Sequence, residues 1–501
     1  MLRASTPSFV VTLPLVVPQD AERLLLDRLR VGARLHNTVL QDGLAIVHRM
    51  RSDPRWTQAR ALPKSSRERT QFFAQLRKDH AFDDASFQRA AIAHKNAAGF
   101  AGRIGAHETQ GLASRVFAAL EQWVYGQRGR PRFKGARRPL HSLQGKNNTG
   151  MLQWIHETGT LQVERGLALR ARLPDLRRDE WLAAALQHPV KYCRLVWSQE
   201  GVRRAWRVQL ILEGQAPIKA SRLEHLAPEG SVGGLDLGVS TVAWATPEIA
   251  GVDPLAPSAS LDFAELRRLQ RRLDRQRRAN NPENYDEAGR AKRGQRTWVV
   301  SQGMRATQAQ IASLQARLAR RRRNEHGQLT NHLLSLARTW KDDGVSPRAL
   351  QKMYGRAVAQ RAPSEMMQLL ARKAERAGGQ RRIVNVRALK SSQYDHSTDG
   401  FVKKRLSERW HVFADGRGRV QRDVYSAFLH LHSEGDTNHP GRLETAWAQV
   451  EASLLEAGWF VPKTRSEGLA LSREPFSRAR SSVSSRSPAH HGLNSPASKA
   501  A

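Results

Sequence analysis

The sequence predicts an α+β chain of several domains. A β-rich module carries a helical block inserted after its first strand, and a second domain that contains long basic helices follows. Three observations lead there. Helical and strand periodicities occupy separate stretches of the chain. Its 501 residues exceed one ordinary domain and fit roughly two to four. Hydrophobic residues make up 40%, enough to bury substantial cores.

Residues 8–17 read as the first strand, rich in the β-former valine (Val10, Val11, Val16, Val17). Residues 20–51 follow with Leu24, Leu25, Leu29, Leu35, Val39, Leu40, Leu44 and Val47 at helical spacing. Residues 68–78, 84–100 and 112–123 extend the helical block, and glycines over 126–135 end it. The pattern then changes to strands at 151–156, 160–163, 168–173, 190–199 and 203–212, with a hairpin signal at Glu200-Gly201. Cys193, the single cysteine, sits in an apolar run and reads as core filling. It excludes internal disulfides and any cysteine-based zinc cluster. Trp123, Trp154, Trp197 and Trp206 read as core residues.

A second unit opens at 231–246. Residues 263–278 and 299–323 are long basic helical patterns around a turn-rich 280–294. Residues 332–339 are expected as a strand or short helix, 346–377 as one helix, 383–386 as a short buried strand and 424–432 as a helix. From about 466 the chain is rich in Ser, Arg, Pro and Ala, without apolar periodicity, and is expected to be disordered.

Charge dominates the composition. Lys and Arg number 82 against 46 Asp and Glu, a net of +36. A polyanion is the natural partner, because each cation near a phosphate releases counterions. The opening residues lack the charged start and cleavage site of a signal peptide, and no apolar run is long enough for a membrane. A cytoplasmic, nucleoid-associated protein is expected. Arg267, Arg268, Arg271, Arg272, Arg275, Arg277 and Arg278 form one basic helical face, and Arg317, Arg320, Arg321, Arg322 and Arg323 another. So few acids interleave them that a merely solvated face would repel itself. Arg130, Arg132, Phe133 and Lys134 combine cations with an aromatic ring, as RNA contact by stacking and phosphate pairing requires.

The sharpest local signal is Asp236 in an apolar β-run, with Gly234 and Gly238 close by. An acid there is costly unless it meets a cation or a donor. Glycines admit a close backbone or ligand. A metal-binding aspartate and a turn aspartate in an ordinary strand both satisfy the residues alone.

The stretch GLDLGVSTVAWA (234–245) resembles the first RuvC motif of TnpB-like RNA-guided nucleases and the related compact type V CRISPR effectors. Other stretches resemble that family in the same order. GRPRFKGARRPLHSLQGKNNTGMLQW (129–154) is similar to its guide-RNA-binding segment. SPRALQKMYGRAV (346–358) is similar to the stretch after the second motif, and LSERWHV (406–412) and VQRDVYSAFL (420–429) to the approach to the third. The resemblance covers most of 8–432. It implies a WED-like β-rich domain, 1–18 and 111–228, around a REC-like helical domain, 19–110. It further implies an RNase H-fold, RuvC-like domain in pieces 229–390 and 416–435, a degenerate ribbon insertion at 391–415 and a C-terminal extension at 436–501.

It also implies guide RNA and a double-stranded DNA target as partners, and an Asp, Glu, Asp trio holding two Mg²⁺ ions. Asp236 matches the first acid and Asp423 the third. Asp343, beside Asp342, stands where the glutamate is expected and reaches one methylene less far. The zinc ribbon's cysteines are missing: SSQYDHSTDG (391–400) and HVFADGRG (411–418) contain none. Asp395, His396, His411 and Asp415 read as polar loop residues, so zinc is not expected, and the ribbon is expected to be absent or held by packing alone. The reading is an RNA-guided double-stranded DNA binder with cleavage weak or lost. An active Mg²⁺-dependent endonuclease and an RNA-independent transposase accessory protein are the alternatives. A transposon or CRISPR origin of the guide, and a monomer or a dimer, stay open.

Overall fold

A computed structural model describes residues 7–463 except 136–138, 164–165, 202, 295–296, 345, 406 and 436. Strand β1 (Ser8–Pro14) leads into α1 (Gln19–Ser52), α2 (Pro54–Ala61), α3 (Arg67–Asp79), α4 (Asp84–Ala97) and α5 (Ala106–Val124). Then come β2 (Ser142–Gln144), β3 (Leu152–Ile155), β4 (Thr160–Val163), β5 (Leu167–Arg170), α6 (Glu180–Leu186), β6 (Val190–Glu200), β7 (Arg203–Glu213) and the short α7 (Ala220–Leu223).

Phe9, Val11 and Leu13 face inward while Ser8, Val10 and Thr12 face out, the period of a strand with one covered face. β1 pairs antiparallel with β7, from Ser8 opposite Glu213 to Pro14 opposite Arg207. The helices α1–α5 therefore leave and rejoin one sheet, ordered β1-β7-β6-β2. β3, β4 and β5 make a second small sheet. One apolar core joins these sheets to the helices and includes Cys193, Trp154 and Trp206, with Trp123 and Trp197 packed at its margin. Burial raises the Cys193 thiol to about 12, so it is inert filling. Inside this core Arg28 of α1 clamps Glu108 of α5 at 2.7 Å, and Glu108 also accepts from the Gly105 N–H at 3.1 Å. The two helices are thereby locked in register.

The second half runs β8 (Val232–Leu237), β9 (Thr241–Ala245), β10 (Ala250–Pro254), α8 (Phe263–Asn280), α9 (Gln302–Leu336), β11 (Thr339–Asp342), α10 (Pro347–Arg361), α11 (Pro363–Arg376), β12 (Arg381–Ile383) and α12 (Val386–Leu389). It ends with β13 (Tyr394–Asp395), β14 (Gly400–Phe401), β15 (Trp410–Val412), β16 (Gly418–Gln421), α13 (Arg422–His432), α14 (Pro440–Glu456) and β17 (Phe460–Pro462). Its main sheet is ordered β10-β9-β8-β11-β12. The first three strands form an antiparallel meander, and β11 and β12 run parallel to β8. α13 covers one face of this sheet, and α9 with α11 covers the other.

Four expectations change here. α9 continues to Leu336, because Leu329, Leu333 and Leu334 prolong its buried stripe beyond the arginine run, and the strand begins only at Thr339. The helix expected over 346–377 is two. Ala362 turns left-handed (φ +47°) ahead of Pro363, whose ring disfavours a helical residue before it. The strand near 383 is a sheet edge rather than a buried strand, with Ile383 66% exposed. Residues 440–462 are no appendage: Trp447, Leu454 and Phe460 share a core with α13, and β17 pairs with β16. The disorder expected from about 466 lies outside the described residues.

Candidate functional site

The site is built on two adjoining glycines. A Cβ at Gly233 would sit 2.4 Å from the Trp340 ring, and one at Gly234 would sit 2.0 Å from the Ala427 carbonyl oxygen and 2.5 Å from the Leu431 nitrogen. β8 is therefore pressed between Trp340 and the backbone of α13. Strand alternation puts Asp236 on the same face as Gly234, toward α13. The parallel register pairs Lys341 with Gly234 and Asp342 with Leu235. One further step along both strands sets Asp343 beside Asp236. Lys341 confirms which face this is, since its Nζ donates to the carbonyls of Leu431 (2.9 Å) and Ser433 (2.8 Å) at the end of α13. Asp423 comes from the first turn of α13, Ser426 from the next, and His430 from the turn beyond.

Electrostatics registers this convergence. Part of Asp236 still reaches solvent, yet its carboxyl is raised well above the ordinary range. Desolvation is the largest cause, then the charges of Asp423 and Asp343; Arg422 and a hydrogen bond with Ser426 oppose the rise. Asp342 points to the opposite face and is otherwise engaged. It is 1% exposed, accepts two 2.6 Å hydrogen bonds from Arg381 and a third from the Gly344 N–H at 2.8 Å. Of the two neighbouring aspartates, Asp342 is therefore the structural one.

Asp423 is not open either. Arg422 donates to its Oδ1 at 3.1 and 3.0 Å, Gln421 to Oδ2 at 3.4 Å, and Arg409 lies 3.8 Å away. The three acids meet as charges but form no closed cage. No group of three or more His, Cys, Asp or Glu side chains among the described residues is placed to hold a metal ion. Sequence reasoning missed His430, buried in the same cluster, whose Nδ1 is 2.7 Å from the Leu235 carbonyl oxygen. Burial lowers its pKa first of all, against that hydrogen bond and the charges of Asp343 and Asp342. Its spacing of seven residues from Asp423, two helical turns, was the available signal.

The ribbon region contains the hairpin β13–β14 and the pair β15–β16, and it is held by more than packing. Asp395 and His411 have fully buried side chains with Oδ2 and Nε2 3.4 Å apart. Asp395 also accepts from Ser397 (3.0 and 2.7 Å) and the Ala414 N–H (2.8 Å). Burial would raise its carboxyl, but His411, Ser397 and Ala414 hold it far below the usual range. Lys404 donates to His411 Nδ1, which directs the ring's remaining N–H toward Asp395. His396 bonds the Tyr425 hydroxyl at 2.7 Å; Phe413 and Tyr425 lie against both rings and Trp447 against His396. Asp415 instead pairs with Arg417 at 2.6 Å.

The basic candidates divide by what they already hold. On α8, Leu266, Leu269 and Leu273 are buried while Arg267, Arg268, Arg271, Arg272 and Arg275 are exposed. Arg268, Arg272, Arg275 and Arg320 line a cleft of about 830 Å³ between α8 and α9. Arg321 is paired with Asp262 at 2.9 Å, and Arg322 with Glu365 at 3.2 Å and the Gln360 carbonyl at 3.1 Å. In the segment after α5, Arg130, Arg132 and Phe133 are exposed and Lys134 is half-buried. Asn37 of α1 grips the Lys134 backbone from both sides, at 2.7 and 2.9 Å, fixing this extended segment against the helical block.

No protein-family model matches this sequence, and no curated protein matches it. Among solved structures, the chain is similar to one described as the cryo-EM structure of the Cas12f1-sgRNA-target DNA complex. Identity is 12%, the overlap covers 83% of this chain and 84% of that one, and the TM-score is 0.45. It is also similar to a CRISPR-Cas12f ternary complex at 12% identity, covering 84% and 83%, with a TM-score of 0.28. Overlaps this loose carry no weight in the functional reading, for which the chain's own residues supply the grounds.

Proposed function

We propose that the chain is an RNA-guided, double-stranded DNA-binding protein whose RNase H-like, RuvC-like domain cleaves weakly or not at all. The observation that carries the reading is the acid cluster. Asp236 is desolvated on the central strand of a mixed sheet, and two further aspartates from distant parts of the chain raise its pKa. A purely structural carboxylate gains nothing from two like-charged neighbours, whereas a divalent cation relieves their repulsion. When bound, Mg²⁺ activates water and stabilises a leaving oxygen. The donors suit it in chemistry, as all are carboxylate oxygens. The chain's own contacts hold the set open: Asp423 must turn from Arg422 and Arg409, and Asp343 must bridge the methylene that a glutamate would supply. This supports binding without efficient cutting.

The net charge of +36, the arginine-lined cleft and the clamped 130–134 segment support RNA and DNA as partners through backbone contacts. The same repulsion at Asp236 favours a second reading, an active Mg²⁺-dependent endonuclease with these residues. The test is purification of the full chain with sequencing of copurified RNA, then target binding and cleavage with matched and mismatched guides. Guide-dependent binding with little Mg²⁺-dependent cutting supports the proposal. Robust cutting abolished by Asp236→Ala establishes the second reading. A footprint on one fixed sequence without RNA replaces both with a transposase accessory protein.

A further inference from the structure

The tip of the α8–α9 hairpin, described at 281–294 and 297–300, is separate from the acid cluster and adjoins the end of the α8 arginine face at Arg277 and Arg278. It is ordered by its own buried amides. Asn281 has no exposed surface; its Oδ1 accepts from the Val299 N–H at 2.6 Å, and its Nδ2 donates to the Arg277 and Val299 carbonyls at 3.1 Å. Asn284 donates to the Thr297 carbonyl at 2.7 Å, and the Lys292 N–H donates to the Asn284 carbonyl at 2.9 Å. A long helix–helix connection closed in this way is a built platform, of the kind that carries function on a surface.

This platform carries an aromatic pair. Tyr285 and Trp298 meet edge to face with centroids 5.9 Å apart, and both are half-exposed. The hairpin's apolar seam lies elsewhere, at Leu266, Leu269 and Leu314. The Arg278 guanidinium stands 5.4 Å from the Tyr285 ring centre. Together with Arg277 and Arg290 these groups line a cleft of about 1020 Å³; Asp274 is the one acid among its described lining residues and pairs with Arg278 at 3.1 Å, while Arg290 pairs with Asp286 at 3.1 Å.

We propose that this cleft takes an unpaired nucleobase, with its phosphate, from a single-stranded stretch of nucleic acid bound by the chain. The inference deepens the nucleic-acid-binding reading above and rests on it. An aromatic face offers stacking to any base, while neighbouring guanidinium groups neutralise the backbone. The cleft is of the size that holds small ligands, roughly 300–1000 Å³ or slightly above. A fully paired duplex offers no free base face to such a cleft, so the site selects unpaired strand.

The full chain is titrated with polyuridine RNA, with polythymidine DNA and with a blunt duplex, followed by fluorescence anisotropy. Tyr285→Ala should weaken single-strand binding about 10-fold while duplex affinity is unchanged. Tyr285→Phe should bind like the unaltered chain. Arg290→Ala should reduce the salt slope for single strands by about 0.7. Iodouridine- and iododeoxyuridine-substituted strands, photolysed with the unaltered chain, should cross-link to Tyr285 or Trp298, a readout that needs no variant to fold. The strand that binds more tightly and cross-links identifies the source as RNA or DNA. Single-strand binding that survives both Tyr285→Ala and Trp298→Ala, with cross-links elsewhere, overturns the inference and leaves the general reading standing. Failure of the unaltered chain to bind any of the three overturns that reading as well.

Discussion

Replacing each of two neighbouring aspartates by alanine should give opposite profiles, and the structure sets the magnitudes. Asp342 is 1% exposed and closes a bidentate pair with Arg381 through two 2.6 Å hydrogen bonds, while also holding the Gly344 N–H. The Arg381 side chain keeps 21% of its surface, so water recovers part of the loss when its partner goes. Breaking a buried pair from one side costs about 3–5 kcal/mol, and the residual exposure places Asp342→Ala near ~3 kcal/mol, over 100-fold in the unfolding equilibrium. For a unit of this size that is a fall in melting temperature of roughly 6–12 °C. Asp343→Ala removes a like charge from beside Asp236 and should cost under about 1 kcal/mol. Divalent-ion binding should reverse the order: isothermal titration with Mn²⁺ should lose its signal with Asp343→Ala and keep it with Asp342→Ala at temperatures where that variant stays folded. Thermal unfolding of both variants supplies the other half of the test. Equal destabilisation, or metal binding lost only with Asp342→Ala, would refute the assignment of roles.

Asp343→Glu should raise Mg²⁺-dependent cleavage in a gel assay while leaving target affinity nearly unchanged. If neither the unaltered chain nor this variant cuts, the ion pair at Asp423 is the next barrier and Arg422→Ala should be added. Gly234→Ala puts a methyl carbon 2.0 Å from the Ala427 carbonyl oxygen, and helix backbone cannot rotate aside. It should cost at least about 1–3 kcal/mol and lower hydrogen-exchange protection across α13, while α1 amides stay protected. His396 is pushed down to about 4, chiefly by burial. The unfolded chain therefore takes a proton near pH 6.5 that the folded chain refuses until about 4. The contribution of His396 is fully present above pH 6.5 and is lost, by roughly 3 kcal/mol, as pH drops through that window; His36 and His432, also pushed down to about 4 by burial, add to the fall. His396→Gln should shrink, without abolishing, the stability difference between urea titrations at pH 7 and pH 5.

The most legible features were those with a local cause. Leu25, Leu29, Val39 and Val47 announce α1 by their spacing alone, and Glu200-Gly201 announces the turn between β6 and β7, because periodicity and turn chemistry are properties of neighbouring residues. Asp236 could be singled out for the same reason: an acid among β-formers, beside glycines, is costly wherever the strand ends up. Gly234 told only that something comes close there. That the visitor is the α13 backbone depends on chain nearly 200 residues away.

Pairings between distant residues were decided by the tertiary structure. Composition could not separate Asp342 from Asp343; strand alternation sends one to Arg381 on one face and the other toward Asp236 on the opposite face. Nor could it show that Arg321 and Arg322 are engaged by Asp262 and Glu365 while Arg320 remains in the cleft. The ribbon without cysteines looked like loose polar loop, because each of Asp395, His411 and Lys404 is ordinary by itself. Their convergence inside an aromatic shell exists only once the strands meet. By itself, then, the sequence determined the strongly periodic helices and hairpins, where the cations concentrate and which acid is anomalous, since these follow from short-range sterics and from composition. Folding alone decided which of two adjacent carboxylates faces the cluster and which arginines stay available to phosphate, because burial and charge pairing are set by neighbours in space that the linear order does not name.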